Sequence, residues 1–242
     1  MTETTKIEWC DSTFSPWIGC TKCSPGCDNC YAERSFGNRL KVEWGPGKPR
    51  KRTSEANWKL PLRWNKKCAA TGTRQTVFVG SLCDVFDLEV PEVWRIDLEN
   101  LMWKTAHLKW LLLTKRPENK PDWFLLPLYA WFGVTVCNQK EADEKTRYLF
   151  EGRSGQRFIS IEPMLGPIDL SLFNRTIDWV ICGGETGPNA RRIEVDWVRS
   201  LQDQCLEYGI PFFFKQWGSH KAGCKLDGKE YKEFPLQLRK RE

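Results

Sequence analysis

Four cysteines, Cys20, Cys23, Cys27 and Cys30, crowd the segment Gly19-Cys20-Thr21-Lys22-Cys23-Ser24-Pro25-Gly26-Cys27-Asp28-Asn29-Cys30. Thiolates this close on one loop are ligands for soft metals. Three of them can hold three irons of a four-iron cluster and leave the fourth iron open to a small ligand. Two Cys-x-x-Cys pairs also suit zinc, but zinc modules set their pairs farther apart than the three residues between Cys23 and Cys27. The other cysteines, Cys10, Cys68, Cys83, Cys137, Cys182, Cys205 and Cys224, are scattered and read as small buried hydrophobes. Eleven is an odd count, and the start of the chain lacks the basic-then-apolar layout of an export signal. A disulfide framework is therefore disfavoured, and a cytoplasmic location is expected. With only His107 and His220 present, histidine-based metal sites have few candidates.

A second set of chemically capable residues follows short apolar runs. These are Gly80-Ser81-Leu82-Cys83-Asp84, Thr114-Lys115-Arg116, Cys137-Asn138-Gln139, Glu162-Pro163, Gly183-Gly184-Glu185-Thr186 and Lys215-Gln216-Trp217. In parallel α/β folds, active sites gather beyond the carboxyl ends of strands, so the pattern implies one polar pocket. Glu162 is the sharpest case, a carboxylate set directly between a strand and a proline. Gly183-Gly184 is expected to let backbone approach a ligand closely. Neither a dinucleotide fingerprint nor a P-loop occurs in the chain.

The elements that would position these groups are legible as apolar runs at 13–18, 76–80, 110–114, 131–136, 157–161, 178–182 and 211–214. The first is weak. From the second onward they recur at about the length of one βα unit, and their nearly continuous apolar character suits strands buried on both faces. Between them, Val90, Trp94, Leu98 and Leu101 have helical spacing after Pro91, as do Val195, Val198, Leu201 and Cys205 before Gly209. A helix is expected to begin near Tyr31. The rhythm predicts a single domain over 1–242 of the α/β class, a barrel or partial barrel of parallel strands, with an open doubly wound sheet as the alternative. Residues 41–75, with Gly45-Pro46-Gly47 and Lys48-Pro49-Arg50-Lys51-Arg52, read as a basic insertion or long loop, and 221–242 as a peripheral tail.

Cys23-x3-Cys27-x2-Cys30 reproduces the cysteine spacing of radical S-adenosylmethionine (SAM) enzymes. The wider context, Ser15-Pro16-Trp17-Ile18-Gly19-Cys20 and then Cys27-x2-Cys30-Tyr31-Ala32-Glu33-Arg34, resembles phage-associated three-cysteine-motif proteins of unassigned function. Those proteins are related to the spore-photoproduct-lyase-like branch of the radical-SAM enzymes. The similarity continues through Val77-Phe78-Val79-Gly80-Ser81, Leu113-Thr114-Lys115-Arg116-Pro117, Ser160-Ile161-Glu162-Pro163 and Phe214-Lys215-Gln216-Trp217-Gly218, and so covers most of the 242 residues.

This resemblance implies a partial parallel (β/α)6 TIM-like barrel with an extra C-terminal strand, a [4Fe-4S] cluster, SAM and an external electron donor. It implies reductive cleavage of SAM to a 5′-deoxyadenosyl radical that abstracts hydrogen from a substrate. The generic spacing assigns Cys23, Cys27 and Cys30 as ligands. Matching the opening Gly-Cys and the closing Cys-Tyr-Ala assigns Cys20, Cys27 and Cys30 instead, and this second set is favoured. Ser81 and Asp84 match the segment that holds the SAM amine. Gly183-Gly184-Glu185 looks like the family's Gly-Gly-Glu motif, displaced here to follow the sixth strand. Lys115, Arg116, Glu162 and Lys215 remain for SAM or substrate.

Thirteen tryptophans and a formal charge of +6 suit stacking on bases beside phosphate contacts, although most of the tryptophans read as packing. Together with the resemblance, they point to a nucleic acid or nucleotide substrate for modification or repair. Arg50-Lys51-Arg52 and Arg63-Trp64-Asn65-Lys66-Lys67 are the candidate phosphate contacts. The alternative is a non-catalytic nucleic-acid-binding protein bearing zinc or an iron–sulfur cluster. No apolar run approaches the roughly 20 residues needed to cross a bilayer, so no membrane partner is expected.

Overall fold

Seven parallel strands follow one another in both sequence and space. They are β1 (Ser12–Phe14), β2 (Gln75–Val79), β3 (Leu108–Thr114), β4 (Trp131–Thr135), β5 (Gln156–Ile161), β6 (Trp179–Gly183) and β7 (Phe212–Gln216). The computed structural model describes residues 5–150 and 155–238. Because each strand pairs with the next, every crossover steps in the same direction. Right-handed crossovers of that kind place their helices on one face, which excludes the doubly wound alternative.

The strands alternate with period 2 between two cores. Val77, Val79, Trp110, Leu112, Phe132, Val134 and their counterparts face outward to the helices. Phe78, Leu111, Trp131, Phe158, Trp179 and Phe213 face inward and close around Trp9. The Trp9 ring centroid lies 4.6 Å from Phe78 on β2 and 6.4 Å from Trp179 on β6. A flat sheet would hold those strands about 19 Å apart, at ~4.8 Å per step. The sheet is therefore curled into a half-barrel plugged from below by aromatic rings. Gly133 faces inward because any Cβ there would lie 2.4 Å from the Phe158 ring.

The outer helices are α1 (Tyr31–Leu40), α2 (Glu55–Trp58), α3 (Leu60–Thr71), α4 (Glu92–Trp103), α5 (Gln139–Lys145) and α6 (Val195–Tyr208). The expected helices near Tyr31, after Pro91 and before Gly209 are present, and Gly209 caps α6 at φ 67°. The crossovers from β3 to β4 and from β5 to β6 carry short 3-10 turns only.

Three expectations need correction. The first run splits: β1 ends at Phe14, and after Pro16 the residues Trp17–Ile18 turn away to pair antiparallel with Lys51–Arg52. Residues 41–75 are not one long loop. They contain α2 and α3, the first crossover, whose Trp58, Trp64 and Cys68 enter the outer core. Their apolar residues lie at helical spacing but are interleaved with lysines and arginines, which masks the pattern.

The tail is not peripheral either. Phe214 N donates to Tyr231 O at 2.8 Å and Glu233 N to Phe212 O at 3.1 Å, so the chain covers the free edge of β7. Phe234 stacks on Trp179 and Phe213, and Leu238 joins the inner core. Residues 239–242 lie outside the described residues.

Candidate functional site

The curl leaves a cavity of about 600 Å³ at the carboxyl ends of the strands. Its deep wall comes from the inward series of the sheet at the carboxyl ends of the strands, Lys115 and Glu162 lying one position beyond β3 and β5 and Lys215 near the end of β7. Leu113 leads to Lys115, Ser160 to Glu162, and Phe213 to Lys215. The same period of 2 that builds the aromatic plug therefore aims these three charged side chains into the cavity. Thr135 and Gly184 complete this wall, and Trp9 and Phe78 form the floor. The cysteine loop forms the opposite wall: Cys20, Cys27 and Cys30 all line the cavity, followed by Tyr31 and Arg34 of α1.

The loop is shaped locally before it is held by the barrel. Ser24 accepts from Gly26 N at 3.1 Å and opens a 3-10 turn over Pro25–Cys27, and Cys30 stands at the N-cap of α1. Gly19, at φ 106°, turns the chain into the loop. Cys23 is exposed and does not line the cavity. A hydrogen bond from the Cys23 thiol lowers the Cys27 thiol against the effect of burial, with Lys115 assisting. Burial pushes the Cys20 thiol up to about 12. The amine of Lys115 is penalised by burial, but Cys27, Cys30 and Asp84 outweigh that and raise its pKa. Among the described residues, no three His, Cys, Asp or Glu side chains converge as they would around a single metal ion. Cys20, Cys27 and Cys30 share the cavity lining with a fourth thiol, Cys83.

Two ionic clamps pin this loop. Arg116 bonds the Thr21 carbonyl oxygen, approaches Cys20 Sγ at 3.4 Å, and pairs with Asp84 at 3.2 Å. Asp84 also accepts from Thr114 Oγ1 (2.7 Å), Lys115 N (2.9 Å) and Phe86 N (3.0 Å), so its oxygens are committed to the protein. Arg191 makes the second clamp. It donates to Pro25 O at 2.8 Å and Asp28 at 3.0 Å, and it grips Glu185 through Nη2, Nε and its backbone N–H at 2.6–3.0 Å. Asn29 Nδ2 adds a fourth bond to Glu185 at 2.9 Å. Burial would raise the Glu185 pKa, but these bonds overcome it and hold the carboxyl below the usual range.

The glycine pair serves the fold more than a ligand. A Cβ on Gly184 would lie 2.1 Å from Trp217 O, so the close approach expected there is made by the chain leaving β7. A Cβ on Gly183 would lie 2.9 Å from Glu162 Oε1. Gly183 thus leaves space for the ion pair between Glu162 and Lys215 (2.9 Å). Ser81 lines the cavity, with its hydroxyl 3.1 Å from that of Ser15 and its carbonyl accepting from Tyr31 Oη at 2.7 Å.

At the end of β4, Thr135 lines the pocket but the expected Cys137-Asn138-Gln139 segment does not. Cys137 donates to Glu141 at 2.9 Å, Asn138 caps α5, and Gln139 accepts from Asp169 N. The Arg50-Lys51-Arg52 expectation also fails in part. The Arg50 side chain is fully buried against Asp87 at 2.8 Å, and Arg52 pairs with Asp97 and lies 4.0 Å over the Trp58 ring. Charge alone cannot separate a phosphate contact from an internal pin. Sequence reasoning missed Arg191, six residues past Glu185, and the cavity residues Trp9, Arg34 and Trp44. Arg34 directly follows the Cys30-Tyr31-Ala32-Glu33 segment, which was a usable signal.

These features define a parallel α/β half-barrel with a thiol-lined cavity at its strand ends. Residues 4–235 match the family described as "Protein of unknown function (DUF5131)", and the chain belongs to that family. No curated protein and no solved structure matches the chain.

Proposed function

We propose that this protein is a radical-SAM iron–sulfur enzyme acting on a nucleic acid or nucleotide, in modification or repair. The observation that carries the reading is the meeting of Cys20, Cys27 and Cys30 with Lys115, Glu162 and Lys215 on one cavity. On this reading the half-barrel is the TIM-like (β/α)6 core of the superfamily with one added strand. Cys20, Cys27 and Cys30 would hold a [4Fe-4S] cluster. The donor set fits in its chemistry: the lining carries the cysteine thiols by which such clusters are held. When bound, the cluster and SAM would supply an electron from an external donor and a 5′-deoxyadenosyl radical that takes hydrogen from the substrate.

The chain's own part is placement. Arg116 and the Glu185–Arg191 pair hold the cysteine loop against the strand ends. Lys115 sets a cation beside Cys27 and Cys30 and balances thiolate charge. Trp9 and Phe78 close the floor and keep water from below. Ser81 offers a hydroxyl where SAM is expected. Tyr31 and Trp44 at the cavity suit stacking on a base, and the exposed Lys59, Arg63 and Lys66 suit phosphate. Eleven free thiols among the described residues suit a reducing cytoplasm.

Anaerobic reconstitution tests the reading. Expected are iron, inorganic sulfide, and 5′-deoxyadenosine formed from SAM on reduction. Cys20→Ala should lose the cluster and Cys23→Val should keep it. Protein with no inorganic sulfide would overturn the proposal. Tightly bound zinc in its place would establish the non-catalytic binding protein instead.

A further inference from the structure

Three acidic side chains stand on the cavity wall, and the protein has used two of them. Asp84 accepts three hydrogen bonds and pairs with Arg116, and Glu185 accepts four hydrogen bonds. Glu162 is different. Its Oε1 lies 2.9 Å from Lys215 Nζ, and among the described residues its Oε2 receives only the Ser160 hydroxyl, at 3.3 Å. No backbone N–H among the described residues donates to it. A carboxylate offers about four acceptor positions and an ammonium three protons, so both partners keep capacity to spare. The two side chains are 18% and 26% exposed. The pair is thus mostly enclosed, and both residues line the cavity. The backbone makes room for it, since Gly183 lacks the Cβ that would lie 2.9 Å from Glu162 Oε1. Beneath the pair lie Trp9 and Phe78.

We propose that Glu162 and Lys215 together read the hydrogen-bonding edge of a guanine base. Guanine presents two neighbouring N–H donors, which match the two oxygens of Glu162, and beside them a carbonyl, which accepts from Lys215. Adenine has no carbonyl, and thymine offers the carboxylate one N–H. The aromatic floor and Tyr31 supply faces for the planar ring. The inference rests on the nucleotide reading above and adds to it the identity of the base.

Calorimetric titration of the full-length protein, kept anaerobic, with dGMP, dAMP and dTMP at one salt concentration tests it, with SAM as a fourth titrant. The wild type should bind dGMP about tenfold more tightly than the other two nucleotides, the value of one bidentate recognition. Glu162→Gln and Lys215→Met should each erase that preference while leaving SAM affinity in place. Circular dichroism checks that each variant is folded, and the wild-type preference stands as a test without any variant. Equal affinity for the three nucleotides overturns the guanine assignment and leaves the nucleotide reading intact. So does a Glu162→Gln protein that keeps the preference, or one that loses SAM affinity to the same degree. Failure to bind any of the three nucleotides overturns both.

Discussion

Replacing Glu185 separates a clamp on the cysteine loop from an ordinary surface ion pair. Glu185 is 6% exposed and accepts four hydrogen bonds, three from Arg191 and one from Asn29. A charge-assisted bond contributes about 1.5–3 kcal/mol, and losing one partner of a buried pair costs about 3–5 kcal/mol. The Arg191 side chain is 33% exposed, so water recovers part of that loss. Glu185→Gln should therefore lower unfolding free energy by about 2 kcal/mol at pH 7, and Glu185→Ala by about 3 kcal/mol. Urea denaturation measures both.

The pH dependence has a fixed sign. The folded-state pKa of Glu185 lies below the ordinary 4.5, so its contribution is fully present above about 4.5 and is lost as pH falls through the folded value. The wild-type and Glu185→Gln stabilities should converge below that point. Amides of 26–30 should exchange hydrogen faster in the variant, because Arg191 no longer holds Pro25 O and Asp28. A stability difference that persists unchanged at pH 3, or a loss of global stability with exchange at 26–30 unaltered, would refute the clamp.

Other perturbations probe the rest of the framework. Trp9→Ala removes the ring that touches β2, β5 and β6 from inside, and should cost about 3–5 kcal/mol in chemical denaturation. Gly184→Ala places a methyl 2.1 Å from Trp217 O, so the chain leaving β7 must shift; a loss of about 3 kcal/mol is expected, and an unchanged melting temperature would contradict the contact. Arg50→Met strands the buried Asp87 carboxylate and should cost about 3–5 kcal/mol while leaving the salt dependence of DNA affinity as in the wild type. A flattened salt slope in that variant would return Arg50 to the phosphate contacts.

Much of the barrel is written locally. Runs such as 131–136 and 211–214 are apolar and rich in β-branched or aromatic residues, and the helical spacing of Val195, Val198, Leu201 and Cys205 ends at a glycine. Lys115, Glu162 and Lys215 line the cavity because a period of 2 carries the inward face of the sheet to the carboxyl ends of the strands. The crossover helix α3 was obscured because lysines and arginines alternate with its buried Trp64 and Cys68. The edge-covering chain at 231–238 was obscured because its pairing with β7 uses backbone groups, which carry no side-chain signal.

What the sequence determined by itself was short-range: which stretches are strands, which are helices, and where thiols and charges cluster along the chain. The tertiary structure alone decided which charges are available. Arg50, Asp84 and Glu185 look as free as Glu162 and Lys215 when read in a line, yet the first three are taken up by partners such as Asp87, Arg116 and Arg191. A charge is neutralised by whatever the fold brings within hydrogen-bonding distance, and those partners lie on other elements, Arg50 and Asp87 being 37 positions apart in the chain.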